Sequence, residues 1–232
     1  MSQENYRGDT LQKIAGIGFI LGGILTVVFN AIFPRADDPS VVTQALASYA
    51  DNETLSQLSY LGVAIGVMFV MIGTAGVYRK ISTGAAAAWA RLGFYGVIVA
   101  TTLFFISSAV GLAMVGPALD WVAAGSAIDT SAYSIAAALL VASTSLFDMA
   151  ILVFWMALGF LAIGMVSSSA YPKWLGWVLL VASVVIVVIG FTRFFKEPSQ
   201  TTEYIFAVPA GLTSVWAVIL GIWITRREIQ AM

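Results

Sequence analysis

Asp148 is the residue whose type and position most directly indicate chemistry. It lies in the segment STSLFDMAILVFWM, residues 143–156, and it is the only acidic residue well inside the hydrophobic segments. A charged side chain in apolar membrane sequence is costly, so it usually marks a ligand or ion pathway or is paired with another charge. The depth of Asp148 and its neighbours therefore decide between a working group and a structural one.

The residue types that most enzyme and metal sites need are missing. The chain has no cysteine and no histidine, which excludes disulfides, thiolate nucleophiles, Ser-His-Asp catalysis and the usual zinc and haem sites. Eight methionines remain, and scattered methionine in apolar helices is typical of packing rather than of copper binding. There is no glycine-rich phosphate loop, and the net charge of −1 gives no reason to expect nucleic acid. We predict no catalytic residue, no metal and no cofactor; for an enzyme only carboxylate, Ser, Tyr or Lys chemistry remains, and no motif assembles it.

The composition predicts an integral membrane protein. Of the 232 residues, 60% are hydrophobic and 10% are charged, whereas a soluble domain is usually about a quarter charged. No polar stretch is long enough for a soluble domain, so we predict a single polytopic membrane domain over residues 1–232. A helix needs about 20 apolar residues to cross a bilayer. Six runs meet this length, at roughly 13–33, 56–78, 91–115, 143–166, 173–194 and 203–225.

The distribution of Lys and Arg predicts the orientation, because basic residues concentrate on the cytoplasmic side of membrane proteins. The first run is too long for a signal-peptide core and no small-residue cleavage site follows it, so we predict that it is retained. Eight basic residues flank one set of span ends and three flank the other. We therefore predict a plasma (inner) membrane protein with both termini in the cytoplasm. The eight are Arg7, Lys13, Arg79, Lys80, Arg91, Lys173, Arg226 and Arg227, and the three are Arg35, Arg193 and Lys196.

The pattern of the spans predicts an all-α bundle built from three helix hairpins. Each odd-numbered span opens with a cation followed within three residues by glycine, as in KIAGIG, RLGFYG and KWLGW. Such repeats occur in transporters, and they also arise when a hairpin is duplicated to build a bundle. Two small-xxx-small patterns, Gly18 with Gly22 and Gly62 with Gly66, predict close helix contacts. We expect these contacts inside the bundle rather than between copies.

The outer loops are predicted to contain short interfacial helices. In DDPSVVTQALASYADNETL, Asp38 is the expected N-cap and Pro39 the first helical residue, and GPALDWVAAGSAID is expected to form a second short helix. The helical pattern of the fourth span begins near residue 131, after Asp129 as N-cap, so the helix would be about 54 Å long, too long for one crossing. We predict that it projects beyond the membrane; the alternative is a break at residues 143–145, where Ser and Thr side chains can bend a helix.

Counting residues places Asp148 near the outer membrane boundary. About 27 Å of helix separates it from the cytoplasmic end of its span near Val166, and the hydrocarbon core is about 30 Å thick. The same count puts Arg193 and Asn30 in this layer. We predict an Asp148–Arg193 ion pair that fastens the fourth span to the fifth; the alternative is an outward-facing polar vestibule for a small ligand, lipid headgroup or ion. Ser107, Ser108 and Tyr60 are expected close to the same layer.

Pro209 is the second irregularity, about 9 Å inside the outer end of the sixth span. Proline within a helix frees a carbonyl group and kinks the helix. The nearby Thr213 and Ser214 can compensate for the lost backbone bond. Prolines are common in membrane helices, so we expect a packing kink rather than a gating hinge.

The sequence predicts a non-catalytic integral membrane protein. It would be an accessory or scaffolding subunit of a membrane complex or a lipid-binding bundle, with membrane lipids and other membrane subunits as partners. The alternative is a small-solute or ion transporter or binding protein with an outward-facing polar site around Asp148. That alternative is weakened because coupled transporters bind near the midplane, which is almost purely apolar here. A cavity reaching Asp148 favours the alternative; a dry bundle with an exposed Phe- and Gly-rich groove favours a subunit.

Overall fold

The chain folds into α-helices throughout the part that the structure describes. The computed structural model describes residues 3–195 and 200–230, with side chains for 10–192, 195, 205 and 207–227. Within these ranges there is no strand, and six helices are long and apolar enough to cross a membrane, which confirms the predicted six-helix bundle. The helices are α1 (Gln3–Ala31), α2 (Val42–Asp51), α3 (Glu53–Lys80), α4 (Gly84–Ala123), α5 (Ser131–Ser167), α6 (Lys173–Phe195) and α7 (Gln200–Gln230).

The six long helices are arranged as a ring in chain order. α1 packs on α3, α3 on α4, α4 on α5, α5 on α6, α6 on α7, and α7 returns to α1. Helices that are not neighbours in the ring have few contacts with one another. We call the end where α1 begins and α7 ends the terminal end, and the opposite end the distal end. Because no described helix crosses the middle, the space inside the ring must be filled by side chains or remain open.

Helix α1 sits tightly between its two neighbours because it carries glycines on two faces. On the α3 side, a Cβ added to Gly22 would lie 2.8 Å from the carbonyl oxygen of Gly66. On the α7 side, a Cβ added to Gly23 would lie 2.6 Å from the carbonyl oxygen of Ser214. Contacts this short leave no room for a side chain, so the backbones themselves touch, as small residues allow in membrane helices.

Helices α4 and α5 extend far past the distal end of the ring. With 40 and 37 residues, they are about 60 and 55 Å long, against about 30 Å of hydrocarbon core. The amphipathic helix α2 packs on their distal extension and completes a small second core. Its buried members are Ala45, Leu46, Ala50, Met114, Ala118, Trp121, Ala136 and Leu140.

The second short loop helix predicted after the third span does not exist as a separate element. Helix α4 continues through Pro117 to Ala123, because Ala118 and Trp121 are buried against α2 and α5. Proline removes a backbone donor and clashes with the preceding turn of a helix, and this packing outweighs that cost. The turn after α4 then closes at Gly125, whose φ of +84° suits a residue without a side chain.

The first loop helix was predicted correctly, but its start was not. Helix α2 begins at Val42 with Val41 as N-cap, and no side chain caps it. Asp38 instead accepts hydrogen bonds from the Ser40 hydroxyl at 2.7 Å and the Ser40 backbone N–H at 3.0 Å. These two bonds hold the pKa of the Asp38 carboxyl below its ordinary value. The carboxylate that was expected to cap the helix therefore stabilises a tight turn before it.

Helix α5 is continuous from Ser131 to Ser167, so the alternative break at residues 143–145 is wrong, and the projection beyond the membrane stays a prediction. Ser143 does not bend its own helix; its hydroxyl donates to the Ser107 carbonyl on α4 at 3.0 Å, and the Ser107 hydroxyl donates to the Ser143 carbonyl at 2.9 Å. This reciprocal pair joins two helices where one was expected to break. The N-cap of α5 is Thr130, which accepts from the Tyr133 N–H, one residue after the predicted Asp129.

Candidate functional site

The interior of the ring is filled at the terminal end and hollow toward the distal end. The terminal half is occupied by large side chains that are at most 2% exposed, among them Phe19, Leu161, Met165, Leu220 and Ile224. The distal half instead contains a cavity of about 490 Å³ that is open to the outside. Small-molecule sites usually measure about 300–1,000 Å³, so this cavity is large enough for a ligand.

The cavity walls are apolar faces of helices. Helix α5 contributes Phe147, Ile151, Phe154 and Leu158, which recur at the spacing of one helical face. Helix α3 contributes Val63, Val67 and Val70 at the same kind of spacing, and α7 contributes the small residues Ala207, Ala210 and Gly211. An inward-facing apolar stripe would normally be covered by a neighbouring helix. Here the stripes of α3, α5 and α7 border the cavity, while most of their side chains are also buried against neighbouring residues.

The cavity floor is formed by Leu158, Leu179 and Trp216. The Trp216 indole N–H donates to the Leu175 carbonyl at 2.9 Å, and the Trp216 ring packs edge-on against Phe19 with centroids 6.1 Å apart. These contacts hold the indole in one orientation, since a buried Trp N–H needs an acceptor. Along α5 the cavity reaches from Phe147 to Leu158, about 16 Å of helix.

The hydroxyl groups of the cavity wall are hydrogen-bonded to protein groups. Thr26 donates to the Gly22 carbonyl of its own helix at 2.8 Å, and its oxygen lies 3.3 Å from the Ser214 hydroxyl on α7. Thr213 donates to the Ala210 carbonyl at 2.8 Å, and Ser214 donates to the same carbonyl at 3.1 Å. Such side-chain bonds to the preceding turn satisfy polar groups in an apolar setting. The hydroxyl groups of the wall therefore need no hydrogen bond from a ligand, so an apolar ligand can contact the wall without leaving them unpaired.

The mouth of the cavity lies at the distal ends of α1 and α7. Asn30, Ala31, Arg35 and Ala207 line the cavity and are exposed. One guanidinium N–H of Arg35 donates to the Asn30 carbonyl at 3.0 Å, and the Asn30 side-chain amide donates to the Thr26 carbonyl at 2.8 Å. A cation held by a carbonyl at a helix C-terminus is also favoured by the helix dipole. Positive charge is thus fixed beside the opening.

The predicted Asp148 site is not the centre of this cavity. Asp148 is half-buried on α5, between the lining residues Phe147 and Ile151, but it is not itself among the described residues that line the cavity. Asn30 lies at the mouth. The side chain of Arg193 lies outside the described residues, so the ion pair with Asp148 stays a prediction. Ser107 pairs with Ser143, five positions distal of Asp148 and about 7 Å away along the helix, so the predicted polar layer is spread along the helices.

The four glycines predicted for helix packing all lie where α1 meets α3. A Cβ on Gly18 would be 2.8 Å from the Phe69 carbonyl oxygen, and Gly62 faces the ring of Phe29. Gly22 and Gly66 are close enough for their backbones to touch. Within the described chain these glycines serve contacts inside one molecule.

Pro209 lies within α7, which continues on both sides of it. The Thr213 hydroxyl donates to the Pro209 carbonyl at 3.0 Å, whereas the carbonyl that the proline leaves without a backbone donor is that of Ile205, so the expected compensation stays a prediction. Its neighbours Ala207, Ala210 and Gly211 line the cavity. Proline therefore lies on the helix segment that forms one side of the mouth.

Sequence reasoning missed the polar contact that closes the terminal end. Gln12 is buried, and its side-chain amide donates to the Gly76 carbonyl at 2.9 Å. The Tyr171 hydroxyl lies 3.5 Å from the Gln12 side-chain oxygen. The only signal in the sequence was Gln12 itself, an uncharged polar residue directly before Lys13 at the start of an apolar span. This contact ties α1 to α3 and to the loop between α5 and α6, and it reinforces the closed end of the ring.

Comparison with known proteins gives one result. The chain matches the family model described as Domain of unknown function (DUF4386) over residues 14–227. The chain belongs to this family. The matched stretch includes the ring, the cavity and the distal extension, so all three lie in the DUF4386 region. No curated protein and no solved structure matches the chain. Because the DUF4386 family is uncharacterised, the geometry of the cavity is the guide to function.

Proposed function

We propose that this membrane protein is a non-catalytic bundle that binds a lipid or another apolar molecule in its distal cavity. The observation that carries the proposal is a cavity of about 490 Å³ with apolar walls in the middle of the ring. Membrane helices associate through tight packing, and this chain packs tightly elsewhere. A retained void is therefore better explained by an occupant than by poor packing.

The proposed orientation places the cavity mouth at the extracytoplasmic boundary of the plasma (inner) membrane. The terminal end carries most of the Lys and Arg residues that flank the spans, including Lys80, Arg91 and Lys173, and such residues favour the cytoplasmic side. Asn30 lies about 26 Å along α1 from Lys13, close to the thickness of the hydrocarbon core. Acyl chains of the outer leaflet would then have direct access to the mouth.

A role as an accessory subunit is compatible with ligand binding. The outer faces of the ring are strongly apolar, as on α6, where Val181 is 60% exposed and Val188 is 59% exposed. Such faces suit lipid or the helices of a partner equally. A lipid-loaded bundle beside another membrane protein combines both parts of the proposal.

The transport alternative receives less support from the geometry. It requires a polar site around Asp148, yet the cavity wall is apolar and its hydroxyls bond to backbone carbonyls. The cavity also ends at Leu158, Leu179 and Trp216, with fully buried side chains on the terminal side of this floor. A ligand that enters at the distal end therefore meets a closed floor rather than a pathway.

Photo-crosslinking with lauryl alcohol that carries a diazirine group tests the proposal. The protein is placed in lipid nanodiscs, irradiated with the probe and digested for mass spectrometry. We expect saturable labelling of Phe147, Trp155 or Trp216, with competition by unlabelled lauryl alcohol. The double variant Val67→Phe/Ile151→Phe fills the cavity and should lose this labelling.

The matched control is Val181→Phe, which adds the same ring to the lipid-facing side of α6. This variant should label as the wild type does. Labelling that does not saturate, or that falls only on outward-facing residues of α6, means that the probe reports bulk lipid. Either result contradicts ligand binding in the cavity.

A further inference from the structure

The two ends of the cavity differ in their chemistry, and the difference bears on the ligand class. The floor consists of Leu158, Leu179 and Trp216, while the mouth holds Asn30 and the guanidinium group of Arg35. A neutral hydrocarbon would gain nothing from a fixed cation at one end. An amphiphile with a charged head and an apolar tail matches both ends at once.

The bonding of Arg35 leaves donors for a ligand. A guanidinium group has five N–H donors in a planar fork. The recorded bond of Arg35 goes to the Asn30 carbonyl, and among the described residues no carboxylate is recorded as its partner. Guanidinium groups bind carboxylate and phosphate through paired, charge-assisted hydrogen bonds. The bond to the Asn30 carbonyl at the end of α1 thus also positions the Arg35 guanidinium group at the mouth, with donors left for a ligand.

The dimensions of the cavity limit the number of chains. It is about 490 Å³ in volume and extends for about 16 Å along α5, so it is long and narrow. These dimensions suit one extended chain rather than a pair lying side by side. The chain would run from Arg35 toward Trp216, past the apolar faces of α3 and α5.

We propose that the ligand is a single-chain anionic amphiphile, with its chain in the cavity and its carboxylate or phosphate group on Arg35. This inference rests on the proposed function and adds the ligand class. A free fatty acid and a lysophospholipid share this chemistry, so both are used as probes. The position of Arg35 at the mouth, with the apolar floor opposite, gives the ligand one orientation.

Binding measurements on paired probes test the inference. Lauric acid, lauryl alcohol and lauroyl lysophosphatidic acid compete with the diazirine probe in nanodiscs, at a pH at which the acid is ionised. In the wild type, at least one anionic probe should bind more tightly than the alcohol. Arg35→Gln should weaken that binding about tenfold, the loss of roughly one charge-assisted hydrogen bond, and leave the alcohol unchanged.

Two further variants separate charge from structure. Arg35→Lys keeps the charge and should retain most of the affinity for the anionic probe. Arg91→Gln removes a cation from the start of α4, near the terminal end, and should change nothing. Unchanged alcohol binding also shows that each variant is folded. The better of the two anionic probes identifies the head group as carboxylate or phosphate.

The outcomes distinguish this inference from the proposed function. Equal binding of the acid, the lysophospholipid and the alcohol overturns the role of Arg35 but leaves an apolar ligand site. Equal losses for all probes in Arg35→Gln overturn it as well, because the effect is then on the cavity and not on the head group. Failure of every probe to compete overturns the proposed function itself.

Discussion

The terminal and distal halves of the ring are built from the same six helices but are packed differently around their centre. In the terminal half, Phe19, Leu161 and Leu220 are completely buried, and Gln12 joins α1 to α3. In the distal half, Val67, Ile151 and Phe154 face a cavity. Helix α3 contributes similar apolar residues to both halves, so its amino-acid composition alone does not explain why only the distal half has a cavity. The chain is able to close its interior and does so at one end only.

This difference indicates where stability and binding are separated. Tight packing gives the terminal half its contribution to the folding free energy, because helix association in lipid depends on van der Waals contact. A void loses those contacts and lowers stability. A protein that retains a void between well-packed helices has a lower free energy of unfolding in that region but gains room for a ligand. The distal half is therefore where we propose that the ligand binds, and the terminal half supports it.

The largest expected effect comes from placing the same bulky residue in each half. Val77 and Val67 are both buried on α3, but only Val67 lines the cavity. Val77→Phe should lower the free energy of unfolding by about 3 kcal/mol, because well-packed sites resist added volume. Val67→Phe should be neutral or stabilising, because its ring enters open space.

Steric-trapping unfolding in lipid bilayers measures both free energies under one condition. The valine pair serves as its own control, since residue type and helix are the same. Equal losses for the two variants would show that the distal half is as tightly packed as the terminal half. The comparison between halves would then fail.

Removing volume from the terminal half should have the next largest effect. Leu161 on α5 has no exposure, whereas Leu92 on α4 is 54% exposed. Leu161→Ala should cost about 2 kcal/mol, the low end of the range for soluble cores, because the unfolded side chain is already in hydrocarbon. Leu92→Ala should be nearly neutral, since lipid fills the space. The same unfolding measurement checks both, and a loss for Leu92→Ala as large as that for Leu161→Ala would contradict dense packing.

A smaller effect is expected at the contact between α1 and α3. Gly22→Ala places a methyl group 2.7 Å from the Val70 backbone nitrogen and should cost about 1–2 kcal/mol, since the helices must separate. Gly116→Ala on α4 meets no atom within 4 Å and should gain up to about 1 kcal/mol from helix propensity. Unfolding measurements that give the same sign for both variants would argue against close backbone packing at Gly22.

The six spans could be predicted from the sequence, but their arrangement as a ring and the cavity could not. The spans follow from runs of about 20 apolar residues, and the glycines of α1 indicated close contacts through their spacing. Cavity-lining residues such as Val63, Phe154 and Leu158 look the same in sequence as packed ones. Whether an apolar face meets another side chain or empty space depends on the distance between helices, which no local pattern encodes.

The errors of local reasoning have one physical cause. The predicted end of the third span at residue 115, just before Pro117, and the possible break at residues 143–145 both rest on the local propensities of proline, serine and threonine. In the structure, Trp121 is buried beyond the proline, and Ser143 bonds to a neighbouring helix. In both places, contacts with other helices stabilise a continuous helix where the local sequence favours an end or a break. Asp148 likewise stood out as a lone acid, while the cavity beside it gave no polar signal.

The smallest expected effect tests the long α4–α5 pair, which lies outside the comparison of the two halves. The Ser107 and Ser143 hydroxyls each donate to the carbonyl of the other residue at 2.9 and 3.0 Å. Ser107→Ala and Ser143→Ala should each cost about 0.5–1 kcal/mol, near the average for hydrogen bonds between membrane helices. The double variant should cost roughly the sum if the two bonds act independently, and less if breaking one bond loosens the other. A double-mutant cycle measured by steric trapping gives this coupling.

Probe binding should stay unchanged in all three serine variants, because neither serine lines the cavity. A loss of binding would instead show that the α4–α5 pair sets the shape of the distal half, and the hollow end would depend on more than the helices that surround it.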